Sequence, residues 1–268
     1  MRSKRVGDTY ITLEYGMEQR MKRQISLNGT QLKLLAIICM TIDHAAFLFL
    51  SPDTTAYLLL RGIGRWTAPI MAFQLAEGFR HTRNYRNYLC RMLTFAVISQ
   101  PFYLLMVNRN VPETLKEMCS QLNVMFPLVI GLIVMKLITM LKEKPDCYIL
   151  YPALILCLIV TEFCDWKILI PAWAVLFCFV QKVNRKTMIL YLAVTTVLVV
   201  AEFGSWYESF KDFSFQLGTL TAFLPICLYN GQRGGGRRNA AKQFSRWTFY
   251  VYYPLHMAAL TVIWLLCR

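Results

Sequence analysis

The sequence is poor in charge for its size. Charged residues make up 16% of the 268 positions, whereas soluble domains carry about 25%. Hydrophobic residues account for 56%, and the mean hydropathy is +0.42. This composition excludes an ordinary soluble domain and indicates a polytopic membrane protein. Strand-like alternation does not recur, so the apolar segments are predicted to cross the bilayer as helices.

Three familiar motifs are also missing. The nine cysteines show no Cys-X-X-Cys spacing and lie mostly in apolar segments, so neither a metal site nor a disulfide framework is predicted. The glycine-rich stretch at 231–238 lacks the Gly-Lys-Ser/Thr that ends a phosphate loop. Residues 1–26 contain no apolar core of signal-peptide length, and they are predicted to form a cytoplasmic tail or a surface helix.

Nine apolar segments are predicted to be membrane-spanning helices, with eight or ten as alternatives. They cover about residues 31–50, 56–78, 89–107, 122–141, 148–163, 168–182, 187–203, 215–230 and 246–266. The fifth and sixth are short, which predicts either little tilt or a tight hairpin around Asp165 and Trp166. The fold class is therefore an all-α transmembrane helix bundle, formed by residues 27–268.

Basic and acidic residues are unevenly shared among the connections. Those at 79–91, 142–147, 181–186 and 230–245 are rich in Lys and Arg, whereas the intervening ones carry more acidic residues and few cations. This is the positive-inside pattern, and it places the N-terminus in the cytoplasm and the protein in the cell (inner or cytoplasmic) membrane. The net charge of +14 then reflects topology, and a nucleic-acid partner is not predicted.

One of only three histidines lies within the first apolar segment, next to an aspartate. Such an ionisable pair, Asp43 and His44, costs about 3 kcal/mol or more in a bilayer and marks a candidate functional site. His44 also titrates near neutral pH, which suits proton transfer. A bland alternative also exists, since Asp43 can neutralise an arginine and hold two helices in register.

The second apolar segment supplies that arginine. Arg61 and Arg65 are four residues apart and share one helical face, and Arg65 is predicted to reach the depth of His44. Gly62 and Gly64 remove side-chain bulk there and allow close helix approach. Arg61 has the alternative of extending to the membrane surface.

Further polar candidates are His256, Asn123 and Gln100 at membrane depth, and Glu77 at the inner end of the second segment. His256 follows Pro254, which removes a backbone donor and leaves a carbonyl to which the histidine can donate. Glu77 is expected to pair with the basic residues at 80–83. Gln100 has the alternative of joining helices by hydrogen bonds.

Four motifs carry a family resemblance. They are the Asp-His pair within LNGTQLKLLAIICMTIDHAAFLF, the GRxxxPIxAFxLxEGFxHT stretch from Gly64 to Thr82, the LNVMF element at 122–126 and the LYNGxRG…PLH stretch at 228–256. Together they resemble the TraX family of integral membrane proteins, which is named for a member that N-acetylates a conjugative pilin. The similarity runs from about residue 27 to 266, and the SQPFY segment at 99–103 is a small departure.

The TraX family is in turn distantly similar to the acyltransferase-3 superfamily, which pairs a first-span histidine with an arginine-bearing second span. The resemblance implies transfer of an acetyl or other acyl group from acyl-CoA to an amine or hydroxyl, such as a peptide N-terminus. The matching positions include His44, Arg65 and Pro69. Acyl-transfer chemistry then predicts His44 as base, Asp43 or another carboxylate fixing the histidine tautomer, and Arg65 stabilising an oxyanion or holding donor oxygens. The CoA phosphates are expected on Arg80, Arg83, Arg86, Arg233, Arg237 and Arg238.

Two other functions stay open at this stage. A proton-coupled transporter would use Asp43, His44 and Arg65 as a relay, although the spans show no internal repeat. A non-enzymatic membrane assembly factor would use the same groups structurally. The acceptor is equally open between peptide, glycan and lipid.

Overall fold

A computed structural model describes residues 26–108, 117, 121–180, 184–203, 214–234 and 239–267, without the side chains of 203 and 239–246. These residues are helical, and the described ranges contain no strand, only two isolated bridges. The predicted all-α class is confirmed. The predicted tail, apart from residue 26, lies outside the described residues, as do Arg237 and Arg238.

The described residues form the following helices, in chain order. They are α1 (Gly29–Phe49), α2 (Thr55–Gly64), α3 (Thr67–His81), α4 (Tyr85–Asn108), α5 (Met125–Glu143), α6 (Leu150–Thr161), α7 (Leu169–Phe179), α8 (Arg185–Phe203), a 3-10 turn (Phe215–Leu217), α9 (Gly218–Thr221), α10 (Phe223–Cys227) and α11 (Asn239–Leu266).

Four stretches of the described helices are long and apolar enough to cross a membrane: Gly29–Phe49, Tyr85–Asn108, Met125–Glu143 and Trp247–Leu266. The protein is therefore a helical membrane protein, but the nine-span count is not confirmed. The predicted fifth and sixth spans are helices of 12 and 11 residues. At 1.5 Å per residue each reaches about 18 Å or less, well short of a hydrocarbon core of about 30 Å.

The second predicted span is wrong as one continuous helix. The helix is interrupted at Arg65 and Trp66, which form a turn between α2 and α3. Pro69 lies in the first turn of α3, where its missing N–H is tolerated. The same proline cannot donate to the carbonyl of Arg65, so a continuous helix would lose a hydrogen bond there. The break leaves Arg65 at the junction of two helices.

The connection between α6 and α7 is the tight hairpin that the sequence allowed around Asp165 and Trp166. It pairs with the start of α5: Leu122 N–H donates to Phe163 O at 2.7 Å, and Asp165 N–H donates to Leu122 O at 2.7 Å. Trp166 and Lys167 have φ of 63° and 36°, a left-handed conformation that L-residues rarely adopt. Backbone strain of this kind persists where the surroundings fix it, often at functional sites.

Helix α3 lies at the centre of the bundle. It packs against α1, α5 and α7, while α11 packs against α1 and α4. The core between them is apolar and fully buried around Leu32, Ile70 and Trp173. The indole N–H of Trp173 donates to Thr195 Oγ1 at 2.9 Å, so even this central ring has its polar atom paired.

The start of α1 is held by the segment that precedes α11. Leu27 N–H donates to Leu228 O at 2.7 Å, Asn230 N–H donates to Leu27 O at 2.9 Å, and Gly29 N–H donates to Gln232 O at 2.7 Å. These bonds join two of the motifs singled out in the sequence. They form one wall of the end of the bundle that we call the basic end, where α1 begins and α3 ends.

Candidate functional site

Asp43 is bound by both arginines of the second segment. Its Oδ2 accepts from Arg61 Nη1 at 2.6 Å, and Arg65 Nη2 donates to Oδ1 at 2.8 Å and to Oδ2 at 2.9 Å. Asp43 and Arg65 are each 7% exposed. The pairing of Asp43 with Arg65, which the sequence left open as a structural alternative, is thus present, and Arg61 pairs with Asp43 instead of extending to the membrane surface.

The close approach depends on Gly64. A Cβ atom at this position would lie 2.3 Å from the Cβ of Asp43 and 2.3 Å from its Oδ1. Gly62 has a different neighbour, since the backbone of Gly218 approaches it so closely that a Cβ on Gly218 would lie 2.0 Å from Gly62 O. The predicted role in close packing is therefore confirmed for Gly64, whereas a Cβ on Gly62 would meet only Phe215 O, at 3.8 Å.

Aromatic rings surround the two guanidinium groups. The Arg65 guanidinium carbon lies 4.7 Å from the ring centre of Trp166 and 5.2 Å from that of Phe215. The Arg61 guanidinium carbon lies 5.1 Å from the same Phe215 ring. Both arginine Nε atoms are buried and have no hydrogen-bond partner among the described residues. The cluster therefore keeps N–H donors beyond those that Asp43 uses.

Asp165 adds a second carboxyl group to this neighbourhood. It lies in the α6–α7 connection, near Arg65, Tyr103 and Tyr253. Burial raises the pKa of Asp165 to about 6, although the nearby positive charge of Arg65 opposes the rise. The cluster thus contains two fixed positive charges, one firmly paired carboxylate and one carboxyl group with a perturbed pKa.

His44 does not pair with Asp43. Its Nδ1 lies 2.7 Å from Nε2 of His256 on α11, which brings together two of the three histidines. The Nδ1 of His256 lies 3.0 Å from the carbonyl oxygen of Tyr252, one turn back on the same helix. The expectation that Asp43 fixes the tautomer of His44 therefore does not match the geometry. The carbonyl that His256 binds is that of Tyr252, four residues back, rather than that of Tyr250, which Pro254 leaves without its helical donor.

A cavity of about 770 Å³ opens at the basic end. Its basic lining residues are Lys33, His81, Arg83, Arg91 and Arg233. Its apolar floor includes Met71, Met125 and Leu128. His44, Asp43 and Arg65 are not among its lining residues, so the cavity and the buried arginine cluster are separate parts of the described structure.

Arg80 and Glu77 have other partners at this end. Arg80 Nη1 donates to Phe177 O at 2.8 Å and to Val180 O at 3.2 Å, at the C-terminus of α7, and its Nη2 pairs with Glu77. The predicted pairing of Glu77 with the basic residues is confirmed. Arg80 therefore stabilises a helix end and does not line the cavity. Arg86, also expected to bind phosphate, is exposed and lies outside the lining.

Asn123 forms a structural network with Gln100. Its Nδ2 donates to Ala96 O and to Gln100 Oε1, each at 2.8 Å, and its Oδ1 accepts from Met125 N–H at 2.9 Å. Gln100 Nε2 donates to Gln121 O at 2.8 Å. Asn123 is fully buried. Both side chains thus join the start of α5 to α4, and these contacts indicate a structural role.

Comparison with known proteins identifies the family of this chain. The sequence model of the family described as TraX protein matches residues 28–264. The chain belongs to the TraX family. A curated relative from Dichelobacter nodosus, named probable fimbrial assembly protein FimC, serogroup H1, is 31% identical over 242 residues, which is 90% of this chain and 97% of the relative. No solved structure matches the chain.

The motifs that indicated the TraX family meet at two places in the structure. The Asp-His pair, Arg65 and His256 meet in the middle of the bundle, while Glu77 and the 228–234 segment meet at the basic end, where Tyr229 OH donates to Glu77 Oε2 at 3.0 Å. Sequence reasoning predicted only a turn at Trp166 and did not single out Phe215, so it missed the placement of both rings against Arg65. Only the hairpin at Asp165 and Trp166 could be anticipated from the sequence, because the two apolar segments on either side of it are short.

Proposed function

We propose that this TraX family protein is a multi-pass inner-membrane acyltransferase that moves an acetyl or other acyl group from acyl-CoA to an acceptor amine or hydroxyl. The observation that carries the proposal is the position of His44. Its Nδ1 is hydrogen-bonded to His256, and the neighbouring residue, Asp43, binds two buried guanidinium groups. A base and a cluster of cationic donors are what acyl transfer requires.

The chemistry assigns one task to each group. The acceptor nitrogen or oxygen attacks the thioester carbonyl while Nε2 of His44 takes the acceptor proton. Arg65, with Arg61 beside it, stabilises the oxyanion through N–H groups that Asp43 does not use. The carbon–sulfur bond then breaks, the acyl group stays on the acceptor, and the proton passes from His44 to the CoA thiolate. Asp43 orients the arginines and does not act on His44 directly.

The basic-end cavity supplies a place for the nucleotide part of CoA. Arg83, Arg91 and Arg233 line it and can pair with phosphate groups, and the positive-inside pattern puts this end in the cytoplasm, where acyl-CoA is found. Lys33, also in the lining, is 11 residues before His44 on α1, or about 17 Å along the helix axis. The acyl-bearing arm of CoA has to cover that distance through the bundle.

The proposed acceptor is inferred from the name of the Dichelobacter nodosus relative. A protein named for fimbrial assembly suggests that the acceptor is a pilus or fimbrial subunit, most simply its N-terminal amine. The same name favours a second candidate, a non-enzymatic assembly factor in which the polar groups are structural. The two candidates differ in one observable, since only the enzyme releases CoA.

The test is acetyl-CoA turnover by the purified protein in detergent, measured as free CoA release. The wild type should release CoA slowly without an acceptor, and His44→Ala should release none. Ile38→Ala is the matched control because Ile38 lies on the same helix but is 48% exposed on the outer surface of the bundle. CoA release that is unaffected by His44→Ala would remove His44 as the base, and no release by the wild type, with or without a fimbrial peptide, would favour the assembly factor.

A further inference from the structure

We propose that His256 is the positioning residue for His44: it fixes the ring in the tautomer with hydrogen on Nδ1 and leaves Nε2 as the base. In hydrolase triads a carboxylate has this task. The inference deepens the proposed function and rests on it for the identity of the base. Its first test, however, measures protonation directly and needs no enzymatic activity.

The tautomers follow from a chain of hydrogen bonds with a fixed direction. The carbonyl of Tyr252 can only accept, so Nδ1 of His256, 3.0 Å away, carries a hydrogen. A neutral imidazole has one N–H, so Nε2 of His256 is an acceptor. Nδ1 of His44, 2.7 Å from that Nε2, must then be the donor. Nε2 of His44 is left with its lone pair, and no described residue binds it.

The ring geometry agrees with this direction. The two imidazole planes are within 7° of parallel, with centroids 5.0 Å apart. A face-to-face stack would bring the centroids closer than this, whereas an N–H···N bond in the shared plane gives both the 5.0 Å separation and the 2.7 Å contact. The arrangement is that of a directional hydrogen bond.

A second contact between the same helices holds the pair in place. The hydroxyl of Tyr252 lies 2.7 Å from Thr41 Oγ1, and Thr41 Oγ1 donates to Ile37 O at 2.8 Å. Because the Thr41 hydrogen is used there, Tyr252 is the donor to Thr41. The Tyr252 ring also lies parallel to His256, within 4° and with centroids 5.1 Å apart. The ring of His256 is thus held at both nitrogens.

A purely structural role for the histidine pair explains less. The contact between Thr41 and Tyr252 already sets the register of α1 against α11, so a second polar contact one turn away is not needed for that purpose. Burying His256 and partly burying His44 costs desolvation that one hydrogen bond only partly offsets. Asp43 does not have this role, because its oxygens accept from the arginines while the Nδ1 of His44 is bound to His256.

The first experiment measures ¹⁵N chemical shifts of the histidine side chains in the full-length protein in lipid vesicles, near neutral pH. The chain has only three histidines, and His81→Gln identifies the exposed one by removing its signals. The expected result is a protonated Nδ1 and an unprotonated Nε2 for His44, with scalar coupling between His44 Nδ1 and His256 Nε2. Hydrogen on Nε2 of His44, or no coupling between the two rings, would overturn the inference.

The second experiment compares substitutions at His256 by CoA release over a range of pH. In His256→Gln the side-chain oxygen can accept from His44 while its NH₂ donates to Tyr252 O, so most activity should remain. His256→Leu has similar packing but no acceptor, and kcat should fall about 100-fold, the scale of general-base catalysis, with KM for acetyl-CoA unchanged and the pH profile shifted. Leu255→Ala, 61% exposed on the same helix, is the control.

The outcomes separate the two proposals. Equal kcat and the same pH profile in His256→Leu and wild type would overturn the positioning role. The expected tautomer without any CoA release by the wild type would support the hydrogen-bond assignment while overturning acyl transfer. The expected tautomer together with a selective loss in His256→Leu would support both.

Discussion

The two polar regions of this protein differ in how their charges are used. In the middle of the bundle, Asp43 holds two guanidinium groups at hydrogen-bond distance in a nearly closed space lined by aromatic rings. At the basic end, Arg83 and Arg233 line an open cavity of about 770 Å³. In the first region the charged side chains pair with one another. In the second region the basic side chains line a cavity that a ligand can enter.

Under the proposed function, the difference predicts separate roles for the two regions. A compact, paired cluster changes little when a ligand arrives, which is the property that transition-state stabilisation needs. An open cavity with several cations suits binding of an anionic group from solvent. Substitutions in the middle should therefore reduce stability and kcat, whereas substitutions at the basic end should change KM.

The largest effect is expected from Asp43→Ala. It leaves two buried guanidinium groups without their carboxylate, which should destabilise the protein by about 3–5 kcal/mol. The measurement is thermal unfolding in detergent beside Glu143→Ala, which changes a carboxylate at the end of α5. If Asp43→Ala unfolds at the wild-type temperature, the middle region does not depend on charge pairing and the comparison fails.

A matched pair of glycines sharpens the same point. Gly64→Ala places a Cβ 2.3 Å from Asp43, so we expect about 1–3 kcal/mol of destabilisation from overpacking and a loss of CoA release. Gly62→Ala is the control two residues away, because its Cβ would have only Phe215 O at 3.8 Å as a neighbour. Similar unfolding temperatures for the two variants would show that the approach of α2 to Asp43 is not as tight as described.

Arg233→Ala tests the basic end. Removing one phosphate partner should raise KM for acetyl-CoA about tenfold, equivalent to about 1.4 kcal/mol, and leave kcat unchanged. Steady-state CoA release over a range of acetyl-CoA concentrations measures both constants, with Arg185→Ala as an exposed control outside the cavity lining. A fall in kcat at unchanged KM would assign Arg233 to the reaction rather than to binding.

The smallest effect is a pH dependence in the middle region. Because the pKa of Asp165 is raised to about 6, the folded protein keeps a proton that the unfolded chain loses near pH 4. Stability from this group is therefore present below about pH 4 and is lost as the pH rises through about 6. Between pH 4 and 7 the wild-type Tm should therefore fall relative to that of Asp165→Asn. Parallel Tm curves for the two proteins would place Asp165 in a solvated setting.

The sequence predicted the fold class and much of the middle cluster for identifiable reasons. Apolar runs of about 20 residues require helices in a bilayer, and two arginines four residues apart opposite an aspartate leave few arrangements. The helix break at Arg65 was missed because Pro69 was treated as a family marker rather than as a residue that lacks a backbone donor.

The contact between His44 and His256 could not be predicted from the periodicity of the sequence. It joins residues that are 212 positions apart and depends on α11 docking on α1, which no local pattern specifies. The placement of Trp166 over Arg65 depends in the same way on a left-handed turn between two short helices. The misplaced expectation for Arg80 has a simpler cause, since a basic residue near a helix end can bind carbonyl oxygens as readily as phosphate.

The separation of the two histidines has a consequence for biosynthesis. His44 is made first, and the ribosome adds 212 residues before His256 exists. At about 5–20 residues per second this takes roughly 10–40 s. During that interval the first helix lacks the partner that binds His44, so in an unfinished chain the His44 ring is not yet held in the tautomer proposed above, and it gains that contact only after the final helix has been added.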